Sequence, residues 1–505
     1  MFILNHADSA PLYVQLYTQI RDRVLTGGLP AGTRLPSVRH LADELGVSRN
    51  TVDAAYLELI AEGFLLTRPR SGFFIAPAER HRVFGPHAPG GAAVPVGTAD
   101  AMSLAGETGV RNDAAQPPCR YDFHPARLDG ECFPLPLWRA YYLECLREAH
   151  RDLAQYADPQ GEPELRQAIG DYLQRSRGVA CTPDSIVVCA GLQHSLGVVA
   201  DLVAAPARRA TSAPMPDGAA TPTAGRSASP AVGVEDPGYP LPRALFRNRG
   251  FRVTPVPVGP DGMDVDALSQ SRCTLAYVTP SHQFPLGHVM PVRNRLRLIQ
   301  WAAGGGNVII EDDYDSELRY AGTPVPSMQG LRPEAAIVYT GTFSKILSPA
   351  LRLSYMVLPP GLLEVYRQRF RHHHAMVPLL EQRVLARFMA RGHWDRHVRR
   401  VRTVYRQRHD ALLRAIDRRF GTRATVVGQG AGLHVVVRLH GTDASERELA
   451  ARGGQKGIHL LPFSDTRMAA PDDGPMLLLG FGGMAAAELE PAVELLHQAC
   501  FPAAP

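Results

Sequence analysis

The segment GTFSKILSPALRLSY, residues 341 to 355, gathers a lysine, two hydroxyls and an arginine that could together hold a phosphorylated carbonyl compound. A lysine amine condenses with a carbonyl to give a Schiff base, and Lys345 is the candidate here. Thr342 and Ser344 precede it with hydroxyls suited to phosphate; Arg352 follows with a planar guanidinium that meets the same dianion through parallel donors. A Ser-Lys pair alone carries no weight, but two further segments add to it. VVCAGLQHSLGVVADL runs from a strand through Gly191 into a helix, whose first amides, on Leu192 and Gln193, would face an anion. VIIEDDYDSELRY reads as a strand ending in carboxylates able to keep a basic ring nitrogen protonated, with Tyr314 beside them to bond a ring oxygen.

A second chemistry lies more than 250 residues upstream. LPSVRHLADELGVSRNTVDAAYLELIAEGFL gives two helices joined at Gly46, with Ser37 capping the first and Ser48 the second. Arg49, Asn50 and Thr51 then stand at the exposed start of the second helix, where side chains reach base edges and amides face phosphate. FLLTRPRSGFFIA adds two strands around a tip at Arg68 to Gly72 that carries two arginines. Residues 1 to 80 hold eight Arg and eight Asp plus Glu, so net charge does not select nucleic acid; the placement of Arg34, Arg39, Arg49, Arg68 and Arg70 at helix starts and strand tip does.

The elements that must position these groups divide the chain into a small domain over residues 1–78, a linker over 79–119 and a large domain over 120–505. The linker is rich in Gly, Pro and Ala, and about 40 flexible residues reach roughly 35 Å. That reach permits the small domain to lie over a neighbouring subunit. Beyond Tyr121, apolar runs (SIVVCAG, CTLAYVTP, NVIIEDD, AAIVYTG, LSYMVLP) alternate with amphipathic helical stretches, which predicts an α/β fold with a mainly parallel sheet. A low-complexity insertion at about 206–230 interrupts it and reads as disordered surface.

Composition narrows the classes. The 505 residues are 45% hydrophobic and 20% charged with a net charge of +5, and no run of about 18 apolar residues exists to span a membrane. The start lacks a basic stretch leading into an apolar one, so no secretory signal is expected. The seven cysteines are scattered and never spaced C-x-x-C, which fits reduced thiols in a cytoplasm and no metal site.

The N-terminal pattern LPS-x-R, VSR-x-TV, EG-hydrophobic-L and a final SG, from Leu35 to Ile75, resembles the winged helix-turn-helix of the GntR superfamily. By that resemblance Arg39, Ser48, Arg49, Asn50, Thr51, Arg70 and Gly72 form the surface that meets operator DNA. Asp53 departs from the basic residue of many members, and an i,i+4 pair would let it orient Arg49. The order of motifs from residue 121 to 500 resembles fold-type I, class I/II aminotransferases, with pyridoxal 5'-phosphate as the implied cofactor. Carried across, Lys345 is the aldimine lysine, Asp312 the ring-nitrogen partner and Tyr314 the ligand of the ring hydroxyl. Thr342, Ser344, Arg352, Gly191, Leu192 and Gln193 form the phosphate cup. Tyr156 matches the tyrosine that reaches the phosphate of a neighbouring subunit, implying a homodimer; Tyr239 lines the ring's substrate side, and Gln283 stands where TPSHQFPLG replaces N-P-x-G.

One departure separates two functions. The L-R-L-x-F stretch, whose arginine binds a substrate α-carboxylate in aminotransferases, is here PMLLLGFGG with Leu478 at the arginine's place. Another donor such as Arg243 must then serve a carboxylate, or the ligand lacks one. A winged helix joined to such a domain resembles the MocR/GabR regulators: a fold of winged helix-turn-helix plus a large aminotransferase-like domain ending in a smaller α+β subdomain. The resemblance implies a ligand-responsive DNA-binding protein that senses a small amine, an amino acid or the cofactor itself. The alternatives are a working aminotransferase with a fused winged helix, and a DNA-binding scaffold with an empty domain. A last expectation concerns Leu362 to Arg423, with sixteen Arg against five Asp plus Glu: most would be solvated faces of two helices, and the surface around Arg396, Arg399, Arg400 and Arg402 would touch DNA.

Overall fold

The computed structural model describes residues 2, 4–5, 10–61, 64–68, 72–76, 119–149, 151–204, 229–320, 326–468 and 474–502. The chain divides into two compact units, Met1–Arg111 and Asn112–Pro505. Most of the expected linker and nearly all of the expected insertion lie outside the described residues.

In the first unit, α1 (Leu12–Leu25) buries Leu16 and Ile20 fully, as its apolar spacing requires. Strand β1 (Arg34–Leu35) leads to α2 (Val38–Leu45), α3 (Arg49–Ala61), β2 (Leu65–Arg68) and β3 (Gly72–Ile75), with sheet order β1-β3-β2. The Ser37 hydroxyl accepts from His40 N at 3.3 Å to start α2, and Gly46, at φ +67°, ends it in the left-handed region. Ser48 starts α3 by accepting from Thr51 N at 3.1 Å. Val52, Ala55, Tyr56 and Leu59 of α3 pack onto Leu16, Ile20 and Leu41, which leaves the opposite face of α3 in solvent. This is a winged helix-turn-helix.

The second unit is built on eight strands: β5 (Ile186–Cys189), β6 (Ala231–Asp236), β7 (Arg252–Gly259), β8 (Gly262–Met263), β9 (Leu275–Val278), β10 (Val308–Asp313), β11 (Ile337–Thr342) and β12 (Ser354–Val357). Their order is β5-β12-β11-β10-β9-β6-β7-β8. The run from β11 to β7 is parallel, while β12 lies antiparallel between β5 and β11. Strands β5, β9 and β12 are buried at every position, the pattern expected of a sheet covered on both faces. All five apolar runs read from the sequence are strands of this sheet. A smaller sheet of order β13-β14-β17-β16 is antiparallel: β13 (Ala424–Val427), β14 (His434–Leu439), β16 (Leu461–Pro462) and β17 (Met476–Gly480). With the helices His393–Phe420, Glu446–Gln455 and Ala486–Cys500 it forms the α+β end of the chain. Strand β4 (Tyr121–Asp122) pairs in parallel with β15 (Ile458–His459), and the Phe123 carbonyl then accepts from Gly480 N of β17 at 2.7 Å, which anchors the segment that follows β4 against the smaller sheet.

Candidate functional site

The site lies at the carboxyl ends of β10 and β11. Successive side chains of a strand point to opposite faces, so the two neighbouring aspartates of β10 have opposite fates. Asp313 meets Arg177 Nε at 2.6 Å and the Tyr339 hydroxyl at 2.5 Å; although burial pushes its carboxyl up, these partners hold it below the usual range. Asp312 receives only neutral donors, Tyr277 Oη at 2.5 Å on one oxygen and Thr340 Oγ1 at 3.2 Å on the other. Burial pushes it up to about 7, and the charges of Asp313 and Asp315 add to the rise. Among the described residues no arginine, lysine or histidine forms an ion pair with Asp312. A buried carboxyl without a cation fits a protonated ring nitrogen.

Lys345 follows β11, and its Nζ donates to the Pro125 carbonyl at 3.2 Å. Burial lowers its pKa, opposed by Asp315 and then Asp312, so the amine moves toward the nucleophilic form. Tyr314 Oη lies 3.0 Å from His282 Nδ1, and the same nitrogen lies 2.8 Å from Asp315 Oδ2. Nothing in the sequence alone marks His282 or Asp315 as a pair. His282 adjoins Gln283 in TPSHQFPLG, and Asp315 is one of several carboxylates in EDDYD, a signal too diffuse to single either out.

Gly191 caps the helix Leu192–Val203 at φ 85°, ψ 167°, a region open to glycine alone. A Cβ there would stand 2.1 Å from Arg352 Nη2. Arg352 itself takes φ 53°, unusual for a side-chain-bearing residue, and its Nη2 donates to the Ala190 carbonyl at 3.4 Å. The cradle thus brings together an arginine, a helix N-terminus and the hydroxyls of Thr342 and Ser344, whose oxygens are 2.9 Å apart. These residues fit a phosphate.

The remaining candidates are placed differently. Tyr239 packs edge-on to Phe284, ring centroids 5.3 Å apart, and is 39% exposed. Gln283 is buried with its amide spent inside the protein: Nε2 donates to the carbonyls of Pro237 (2.8 Å) and Phe284 (2.5 Å), and Oε1 accepts from Leu286 N at 3.2 Å. It ties two loops together. Tyr156 is 80% exposed and stacked on His374, centroids 3.7 Å apart. Leu478 is buried in an apolar cluster with Val436, Phe463 and Met476. The expectation that Arg243 replaces the missing arginine meets a structural obstacle: its two terminal nitrogens donate to the Arg467 and Asp465 carbonyls at 2.9 and 2.6 Å.

In the winged helix, Arg39, Ser48, Arg49 and Asn50 are exposed, while Thr51 is half-buried with its hydroxyl 2.8 Å from that of Ser48. Arg49 and Asp53 form no ion pair among the described residues, so the expected i,i+4 contact is not made. Gly72, at φ +102°, has the Arg34 guanidinium 3.6 Å from the place a Cβ would take. Arg70 lies outside the described residues. In the second unit the arginine-rich stretch holds the two expected helices, Leu379–Ala390 and His393–Phe420, after the end of a third, Pro360–Arg369, and much of its charge is paired: Arg387 and Arg391 with Glu144, Arg387 also with Glu148, and Arg418 and Arg419 with Glu490.

Comparison with known proteins agrees with both units. Residues 12–75 match the family "Bacterial regulatory proteins, gntR family", and residues 127–216 match "Aminotransferase class I and II". The probable rhizopine catabolism regulatory protein MocR of Rhizobium meliloti is 32% identical over 500 residues, 99% of this chain and 96% of that one. The chain belongs to the MocR family of transcriptional regulators. MocR-type proteins are DNA-binding regulators that join a GntR winged helix to an aminotransferase-like domain of the pyridoxal-phosphate-dependent class. An uncharacterized regulator of Bacillus subtilis, YhdI, is 34% identical over 99% of this chain and 98% of its own. Among solved structures, the Pyrococcus horikoshii kynurenine aminotransferase superposes with a TM-score of 0.64 at 22% identity, covering 75% of this MocR-type chain and 90% of that one, which shows the shared fold. No helix among the described residues is long and apolar enough to cross a membrane.

Proposed function

We propose that this chain is a ligand-responsive transcriptional regulator whose operator affinity is set at the site around Lys345, by a small amine or amino acid or by pyridoxal 5'-phosphate itself. The observation that carries the reading is Asp312: a buried carboxyl, raised to about 7, in no ion pair among the described residues and within electrostatic reach of an amine whose pKa burial has lowered. Lys345 would bond the cofactor, Asp312 would hold its ring nitrogen, and Tyr314 would meet its ring oxygen. Arg352, Thr342, Ser344 and the amides of Leu192 and Gln193 would hold its phosphate, with Tyr156 of one protomer serving the partner's site in a homodimer. When bound, the cofactor supplies a carbonyl that condenses with primary amines and a ring that withdraws electrons. Arg49, Asn50 and Arg39 would face DNA.

Relatives carry names tied to different metabolisms, rhizopine catabolism in MocR and pyridoxine biosynthesis in PdxR of Corynebacterium glutamicum, so the family alone does not fix the ligand. Coupling between ligand and operator is reciprocal and typically about 1–3 kcal/mol. The competing reading, a working aminotransferase, is disfavoured by Leu478 within its apolar cluster and by the internal bonds of Arg243.

The test is Lys345→Ala. Wild-type protein loaded with pyridoxal phosphate should absorb near the visible edge, borohydride should fix the cofactor to the peptide carrying Lys345, and amine should shift operator affinity. The variant should lose all three. Label on another lysine sinks the assignment.

A further inference from the structure

We infer that His282, oriented by Asp315, is the proton acceptor for primary amines entering the site around Lys345. The inference rests on the reading of that site given above and adds the group that handles the ligand's proton. His282 and Asp315 side chains are 1% and 3% exposed, with Nδ1 and Oδ2 2.8 Å apart. An ionised carboxylate only accepts, so with Asp315 accepting, Nδ1 carries the hydrogen and Nε2 presents a bare lone pair. That Nε2 is buried and has no hydrogen-bond partner among the described residues. A buried polar atom left unmatched calls for an explanation, and a ligand atom is one.

The surroundings are built to hold this pair. Gly432 sits at φ +77°, and a Cβ there would come within 2.3 Å of His282 Cε1 and 2.6 Å of Asp315 Oδ2; only glycine leaves room for the two side chains. On the Nδ1 side, Tyr314 Oη lies at 3.0 Å. The His434 ring is 5.5 Å from that of His282 and donates through Nε2 to the Pro285 carbonyl at 3.1 Å, burial keeping it neutral. Lys345 is near enough for Asp315 to act as its leading opposing charge, with Asp312 next. His282 is thus bonded to the carboxylate that acts most strongly on the lysine, and its ring lies beside His434, which the charge of Lys345 also reaches.

A primary amine reaches neutral solution as an ammonium ion, which has no lone pair with which to attack. In the step assigned to His282, one ammonium N–H bond breaks, its electron pair stays on the amine nitrogen, and the proton bonds to Nε2. Asp315 then faces an imidazolium and stabilises it.

Two nucleophiles separate this role from a structural one. Ethylamine is cationic at neutral pH and needs an acceptor; hydroxylamine is uncharged and does not. In full-length protein loaded with pyridoxal phosphate, His282→Gln should slow the ethylamine-driven change of the cofactor's absorbance by roughly 10²-fold, the lower range of general-base effects, and leave the hydroxylamine-driven change within about twofold. Asp315→Asn, which frees the other tautomer with little change of shape, should reproduce the split. Equal slowing with both nucleophiles, or none with ethylamine, overturns the inference. A wild type without the band overturns the cofactor reading and this inference with it. Independently of the cofactor, ¹⁵N spectra of histidine-labelled, cofactor-free protein should contain one Nδ1–H imidazole signal that disappears in His282→Gln; an Nε2–H signal there overturns the inference.

Discussion

The Arg352 guanidinium lies directly against the Cα of Gly191, leaving 2.1 Å between its Nη2 and the place a Cβ would occupy. Two backbone exceptions meet at that contact, a glycine at φ 85° and an arginine at φ 53°. A fold that tolerates both at one point gains an arginine held over a helix N-terminus.

Gly191→Ala is expected to disturb this point and little else. The arginine tip can swing aside, so the chain should fold, at a backbone cost of roughly 1–3 kcal/mol for a non-glycine residue in that region. The phosphate cradle would lose its geometry. Titration with pyridoxal phosphate should show affinity reduced at least tenfold while circular dichroism is unchanged. Undiminished affinity would mean the phosphate sits elsewhere.

Buried carboxyls give the cofactor-free protein a distinctive response to pH. Burial pushes Glu235, Asp312 and Glu317 each up to about 7. Between about pH 4 and that value the folded state holds protons that the unfolded chain releases, so stability is highest at the acidic end of this window and falls as pH rises through it. Asp313, shifted the other way by Arg177 and Tyr339 despite its burial, acts below the window, where its stabilisation is lost on acidification. Asp312→Asn should flatten the decline of Tm between about pH 5 and pH 8 in cofactor-free protein. An unchanged slope would show that Asp312 is already ionised.

Arg49 is exposed at the first position of α3. If it makes a bidentate base contact, Arg49→Ala should weaken operator binding by roughly 1–3 kcal/mol and reduce discrimination against altered sites. Competition binding at fixed salt is the measurement. Wild-type affinity in the variant would remove α3 from the base-reading role.

The sequence carried the fold because its signals are local. Strand β10 is an apolar run that ends in carboxylates, and α3 opens with a serine cap that the neighbouring residues make plain. Asp312 and Lys345 were legible for the same reason, each lying at the end of a recognisable strand. The His282–Asp315 pair was not, because it joins two loops 33 residues apart and each residue looks ordinary in its own segment. The surroundings of Arg243 were illegible for a similar reason. The replacement of the usual arginine by Leu478 left Arg243 as one alternative donor, and its terminal nitrogens donate to carbonyls 222 and 224 residues away, which no local pattern announces.

That commitment of Arg243 bears on turnover. Leu478 lies inside an apolar cluster and offers no cation to an α-carboxylate, and both terminal nitrogens of Arg243 already donate to backbone carbonyls. Sustained transamination of common α-amino acids with 2-oxoglutarate should therefore be slow or missing, although a single half-reaction is compatible with the site. Steady-state assays decide it: turnover within about 1–10³ s⁻¹ would restore the aminotransferase reading.

The last prediction concerns the helix His393–Phe420. The winged helix region, residues 1 to 80, balances eight Arg against eight acids, so a share of the phosphate neutralisation is expected from charge placed elsewhere. Four arginines of the helix were expected to meet DNA, and the structure divides them. Arg402 donates to the Glu317 carbonyl at 2.7 Å and is half-buried; Arg400 donates to the Glu131 carbonyl at 3.2 Å. Arg396 and Arg399 are exposed, and Arg396 bonds nearby groups, the Arg391 carbonyl at the end of the preceding helix and His393. We therefore expect the double variant Arg396→Ala, Arg399→Ala to lower the slope of log K against log salt for full-length protein by about 1–2 per protomer, at roughly 0.9 for each phosphate no longer neutralised. Arg402→Ala should leave that slope unchanged and lower Tm instead, since it removes an internal bond. An identical slope in the double variant would assign both arginines to solvated surface.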